Sequence, residues 1–339
     1  MNRSKRYNQV TFLGTHNSFC NGCTSEENKD SQIPYKECVL NQRLSIKEQL
    51  ESGVNMLDIE IHAGNDKKKN NLIVCHGPTY VSKWAGRSSL EHILKCIVRD
   101  FCEKNDSNIL TLYINLQGKL RQKDWANGSV KKAFRESGLD DYVYSYNEER
   151  SVEDTWPTIG EMLDDKKPVM VFGLVGKQNF KGYTNRFFRR NKKGEIGTNQ
   201  SLIGWKAATP EDLSVRNLDI PLETGGSNRL FLLNAYASPR KIKFLPYLFG
   251  GNPEIAHTVN ETVVTPLLVA AQHQLDQNGG QRVNWVWVDF FHIDSCAALI
   301  EEIDNMNSND TEFVSLEEEK GKEEKKENGK WKGWLSWMM

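Results

Sequence analysis

Apolar and polar residues along this chain follow two different periods. In NMLDIEIH (55–62), Leu57, Ile59 and Ile61 fall on one side of an extended segment, and Asp58, Glu60 and His62 fall on the other. That period of two is the mark of a strand. The same period runs through 110–116, where Leu110, Leu112, Ile114 and Leu116 oppose Thr111, Tyr113 and Asn115. It returns in VNWVWVDFF (283–291), where Trp285, Trp287 and Asp289 share a face. Further strands are predicted at 71–77, in KPVMVFGLV (167–175) and in NRLFLLNAYAS (228–238). The helical period separates them. SIKEQLESG (45–53) opens on a Ser45–Glu48 capping box and stops at Gly53. Leu90, Ile93, Leu94, Ile97 and Phe101 predict an amphipathic helix over 89–104. WPTIGEMLDD (156–165) reads as a helix, as does TPLLVAAQHQLDQ (265–277), with Thr265 as cap and Pro266 at its first position. Asp294 is expected to cap a last helix carrying Cys296, Leu299, Ile300 and Ile303.

Strands alternating with helices imply a parallel sheet covered by helices. The number of repeats favours closure. The predicted fold is α/β: a TIM-type (β/α)8 barrel, distorted or incomplete, forming a single domain over 1–306. Residues 178–228 are polar, basic and glycine-rich. They are expected to hold long loops and one concealed β/α unit. A tail is assigned to 307–339. SLEEEKGKEEKKENGK (315–330) has charges of both signs and no apolar face, the composition of a solvated segment. It leads into WKGWLSWMM, where Trp331, Trp334, Leu335 and Met338 fall at helical spacing beside Lys330 and Lys332. Peripheral contact with a membrane is one expectation for this end; packing onto the barrel or onto a protein partner is the other.

Composition narrows the function classes. With 38% hydrophobic residues in 339, the chain can bury a sizeable core. A net charge of −1 predicts no general affinity for nucleic acid or an acidic surface, so any charged-ligand site must be local. No run approaches the roughly 18 apolar residues of a spanning helix, and MNRSKRYNQVTFLGTHN lacks a signal-peptide core. A cytoplasmic or peripheral-membrane monomer is expected, secreted if a leader precedes this sequence. Seven cysteines, an odd number, favour reduced thiols. CNGC (20–23) with Cys38 has no evident fourth metal ligand.

The chemistry lies in the inward faces. Catalysis in β/α barrels sits at the C-terminal ends of the strands. Asp58 and Glu60 lie in an otherwise apolar strand, and buried carboxylates need a cation or strong donors. LGTHN (13–17) and CHGP (75–78) each deliver one histidine at the end of an apolar run. A lone strand-end histidine is usually structural, but His16, Asn17, His76 and the acid pair occur together. Phosphodiester cleavage by internal attack needs such a set. One group removes a proton from the attacking hydroxyl, a second protonates the leaving alkoxide, and positive charge offsets the phosphoryl oxygens. Asp58, Glu60 and the Asn17 amide oxygen are hard ligands suited to Ca²⁺ or Mg²⁺.

GTHNSF, QLESGVNMLDIEIH, LIVCHGP and NILTLYIN resemble, in that order, the X region of phosphatidylinositol-specific phospholipase C. HGPTYVSKW is similar to the family's second-histidine segment, and TWPTIGEMLDDKKPVMVFG and VNWVWVDFF resemble its single-domain members from plants and fungi. The likeness runs over about residues 8–305. It implies a distorted TIM barrel acting on a phospholipid, with His16 as general base or phosphoryl-oxygen holder and His76 as general acid. Asp58 counts with the catalytic residues as well as the ligands, and Asp289 would orient a catalytic histidine. The calcium-dependent members imply ligands at Asn17, Asp58, Glu60 and a fourth-strand position. That position falls on Asn115, or on Tyr113 if the register slips by two, where the family has glutamate. Metal-independent bacterial members carry an arginine where Glu60 stands, so a divalent ion is expected here. Tyr236 could face a sugar ring, and Lys83, Lys177 or Arg240 could touch phosphate. His62 shares the inward face but lies past the acids. Two alternatives remain open: a glycerophosphodiesterase or sphingomyelinase D-like enzyme, and a catalytically weak headgroup-binding module.

Overall fold

The computed structural model describes residues 1–21, 40–63, 72–76, 88–116, 129–144, 156–175, 178–179, 199–201, 230–236, 253–277 and 282–308. Its strands are β1 (Phe12–Thr15), β2 (Met56–Ala63), β3 (Leu72–Val74), β4 (Ser88–Ser89), β5 (Leu110–Leu116), β6 (Val169–Val175), β7 (Gln178–Asn179), β8 (Asn199–Ser201), β9 (Leu230–Asn234) and β10 (Val283–Val288). They join in one sheet in the order β7-β6-β5-β2-β1-β10-β9-β8, with β3 on β2 and β4 on β3. From β6 through β8 every neighbouring pair is parallel. The fold is therefore the expected α/β barrel type, and the described sheet is open rather than closed.

Strand parity sorts the interior into two layers. Leu57, Ile59, Leu112, Ile114, Val286 and Val288 pack with the surrounding helices. Met56, Tyr113, Phe172, Leu232, Trp285 and Trp287 fill the barrel. Tyr7 plugs the bottom: it is fully buried, its ring stacks on Phe12 at 4.8 Å, and its hydroxyl meets Thr111 Oγ1 at 2.6 Å and accepts from Trp285 Nε1 at 3.2 Å. This aromatic filling is the floor on which the polar ends of the strands stand.

Gly14 makes the filling possible. A Cβ there would lie 2.6 Å from Trp287 Cδ1 and 3.2 Å from Met56 Cβ. The indole is fixed by its neighbours, so Gly14→Ala is expected to destabilise the fold by about 1–3 kcal/mol. The shift of the urea midpoint measures it, and an unchanged midpoint would show that Trp287 can retreat.

Several predicted features are corrected. The 71–77 segment is not a barrel strand: β3 returns antiparallel along β2, with Ile61 opposite Val74. The predicted 89–104 helix is regular from Leu90 to Ile97 and continues as a wider turn over Val98–Cys102. Thr265 is not a cap. Its helix begins at Val264, directly after another at Pro253–Thr262, so Thr265 lies in the first turn with its hydroxyl buried and unpartnered. Asp294 does not cap the last helix, which starts at Ala297 and runs to Ser308. Of the CNGC pair, Cys20 is buried, while Cys23 and Cys38 lie outside the described residues, as does the tail from 309. No helix among the described residues is long and apolar enough to cross a membrane.

Candidate active site

Parallel pairing of β1 with β10 sets Thr15 opposite Val288, so the next residues, His16 and Asp289, leave the sheet side by side. His16 Nδ1 lies 2.9 Å from Asp289 Oδ1. Both chains then turn through the left-handed region, at Asn17 (φ 46) and Phe290 (φ 48). Asparagine tolerates that conformation and phenylalanine does not favour it. Phe290 is held there by its amide, which donates to Asn41 O at 2.6 Å, and the next amide, Phe291 N–H, donates to Gln42 Oε1 at 3.0 Å.

Asn41 and Gln42 are fully buried, and sequence reasoning did not single them out. Gln42 Nε2 donates to His16 O at 2.8 Å and to Val288 O at 3.1 Å, tying the two strand ends together. Asn41 Nδ2 donates to both Asp289 oxygens, at 3.2 and 3.3 Å. Asn17 Nδ2 donates to Asn41 Oδ1 at 3.2 Å and lies 3.1 Å from His16 Nε2. Two adjacent amides just ahead of the Ser45 capping box were the available signal.

The acids stand on the neighbouring strand. Asp58 Oδ2 accepts from Asn17 N–H at 3.2 Å, while Asp58 Oδ1 is buried with no hydrogen-bond partner. Burial pushes the Asp58 carboxyl up to about 7, against the pull of His16 and the Asn17 amide. Glu60 Oε1 meets His62 Nε2 at 2.5 Å, so His62, expected only behind the acids, touches one of them. Pairing of β2 with β5 sets Tyr113 beside Asp58 and Asn115 beside Glu60. Tyr113 packs edge-on against Trp287 at 5.1 Å and belongs to the floor. Of the two residues left open by the sequence, Asn115 is therefore the one abreast of Glu60.

His76 arrives by the antiparallel return. Cys75 N–H donates to Glu60 O at 3.2 Å, and the next side chain faces His16 with ring centroids 6.4 Å apart at 70°. The imidazoles are tuned in opposite directions. Burial opposes charge on His16, but the Asp289 carboxylate, its hydrogen bond and the charges of Asp58 and Glu60 hold its pKa above the usual value. For His76 burial prevails over the pull of Glu60, and the pKa falls. Titratable groups driven apart in one cleft mark acid–base sites.

Tyr236 lies flat on His16, with centroids 4.0 Å apart and planes 2° apart. That covers one of the two faces it could offer a sugar. Lys83, Lys177 and Arg240 lie outside the described residues. The oxygen set fits a hard cation in its chemistry: an unpartnered buried Asp58 oxygen, Glu60, and the amides of Asn17 and Asn115. Among the described residues no three His, Cys, Asp or Glu side chains are grouped to hold a metal, so two carboxylates would need help from amide oxygens and water.

The family model described as PI-PLC X 1 matches residues 3–184. A PI-PLC X domain-containing protein of Arabidopsis thaliana is 23% identical over 311 residues, covering 89% of this chain and 62% of that protein. An uncharacterized secreted protein of Arthroderma benhamiae is 27% identical over 169 residues, covering 50% of this chain and 33% of that one. The chain thus spans less than two thirds of the length of these relatives. Among solved structures, the phosphatidylinositol-specific phospholipase C from Listeria monocytogenes matches with a TM-score of 0.56 at 16% identity, covering 89% of this chain and 96% of that one. At that identity the likeness speaks for the fold alone, a TIM-type barrel.

Proposed function

The chain belongs to the PI-PLC X domain family, and on that footing we propose that it is a phospholipase C-type phosphodiesterase cleaving phosphatidylinositol or a related phospholipid. The observation that carries this reading is the His16–Asp289 pair facing His76 across one cleft. With Nδ1–H donated to Asp289, His16 Nε2 carries a lone pair and takes the proton of an inositol hydroxyl. The hydroxyl oxygen attacks phosphorus, the bond to the glycerol oxygen breaks, and protonated His76 gives that oxygen its proton. The products are diacylglycerol and a cyclic inositol phosphate. His76 has a lowered pKa in the free protein, so the phosphate anion itself must help to charge it on binding.

A divalent ion, Ca²⁺ before Mg²⁺, would be held by Asp58, Glu60, Asn17 and Asn115. When bound, it would offset charge on the phosphoryl oxygens. An amide at Asn115 adds no charge, so Asn115→Glu is expected to tighten calcium binding about tenfold, read by calorimetric titration. Unchanged affinity would remove Asn115 from the ligand set. Contact with the bilayer would come through Trp331, Trp334 and Leu335, which lie outside the described residues.

The test is a phospholipid headgroup panel with added Ca²⁺ and with chelator. Release of cyclic inositol phosphate that falls with chelator supports the reading. Release of a different headgroup, or binding without turnover, would replace it with one of the other phosphodiester readings or with a binding module.

A further inference from the structure

We infer that Asn41 is a positioning residue that fixes which tautomer His16 adopts and which way the Asn17 amide faces. The inference rests on His16 being the base, and it follows from counting donors and acceptors. A carboxylate only accepts. Asn41 lies with one amide atom 3.2 and 3.3 Å from the two Asp289 oxygens, so that atom is nitrogen; the reversed amide would set oxygen against oxygen. Asn41 Oδ1 is then an acceptor, and the Asn17 atom 3.2 Å from it must be a donor nitrogen. The same Asn17 nitrogen lies 3.1 Å from His16 Nε2. Its second hydrogen needs a lone pair there, which leaves the imidazole proton on Nδ1, facing Asp289 Oδ1 at 2.9 Å.

One buried carboxylate thus sets the polarity of a closed ring of four side chains: Asp289, Asn41, Asn17 and His16. Asn41 has no exposed surface, and its Nδ2, given to the Asp289 oxygens at 3.2 and 3.3 Å, lies farther from His16 Nδ1, at 3.5 Å. Through the ring it keeps Nε2 unprotonated, as a base requires, and it turns the Asn17 oxygen away from the protein donors. That oxygen takes no hydrogen bond from the described residues and is available to whatever enters the cleft. Without Asn41, the Asn17 amide can flip, and a flipped amide would present an oxygen to Nε2 and favour the wrong tautomer.

The experiment is side-chain ¹⁵N NMR of the full chain at a pH where the ring is neutral, on the unsubstituted protein and on Asn41→Leu, with Asn41→Ser as a milder variant. His16 is identified by the loss of its signals in His16→Ala. The expected result is a single Nδ1–H tautomer in the native protein and a mixture in both variants. On a phosphodiester substrate, kcat should fall roughly 10–100-fold with KM within about twofold. An Nε2–H tautomer in the native protein overturns the inference with no variant needed. So does an unchanged tautomer with unchanged kcat in either variant that folds, or a rise in KM alone. If no substrate turns over, the activity reading fails, and the tautomer readings still decide the role of Asn41.

Discussion

Replacing His16 or His76 with alanine is expected to lower phosphodiester turnover by about 10²–10⁴-fold while leaving the fold intact. The two losses should not add. In the proposed mechanism each histidine would serve one end of a single proton relay, so His16→Ala with His76→Ala should be little worse than either alone. The stability side of the expectation comes from the surroundings. His16 is buried at 8% exposure, flat against Tyr236 and bonded to Asp289, so its removal leaves a small cavity and an unneutralised carboxylate. Asn41 Nδ2 still donates to both Asp289 oxygens, which limits the cost. His76 is only partly buried and should be cheaper to lose. Initial-rate assays paired with thermal melts separate chemistry from folding. Activity within tenfold of the native protein in either single variant would remove that histidine from proton transfer.

The parts of this site that depend on strand parity were legible in the sequence. Asp58 and Glu60 oppose Leu57 and Ile59 because alternate side chains enter different layers, and the two layers differ in chemistry. The same rule set Tyr113 apart from Leu112. What could not be read is what depends on how loops return. Asn41 and Gln42 lie on a segment whose pattern shows no period, and only the meeting of β1 with β10 gives them their partners. β3 looked like another barrel strand because a short apolar run carries no direction. The helices at Ser129–Ser137 and Pro253–Thr262 went unread because only narrow stripes of them are buried, Val130, Ala133 and Phe134 in the first. Thr265 misled for a related reason: a Thr-Pro pair marks a helix start, yet here only Val263 separates the preceding helix from the new one, which begins at Val264.

Asp58→Asn is expected to abolish turnover and, in chelator at pH 8, to make the protein more stable. The Asp58 carboxyl is forced by burial from its ordinary value of 3.8 up to about 7 in the folded chain. A folded-state pKa above the unfolded one means that the folded protein binds more protons between about pH 4 and 7. Stability therefore falls as pH rises through that window and stays low above it. The full cost is present at pH 8 and absent below pH 4. A shift of this size corresponds to on the order of 4 kcal/mol, reduced in practice because Asp58 also attracts His16. Asparagine keeps the shape, can still accept from the Asn17 amide, and carries no charge to bury. Its melting temperature should exceed that of the native protein by several degrees at pH 8, and the gap should close on acidification towards pH 4. Added Ca²⁺ should raise the native melting temperature by mass action and leave Asp58→Asn unmoved. A variant less stable than the native protein at pH 8 in chelator would show that some protein cation already neutralises Asp58. That would leave no charge there for a metal to meet. The unpartnered Asp58 Oδ1 argues the other way: a buried carboxylate oxygen with no donor is a cost to the folded chain that a bound cation would relieve.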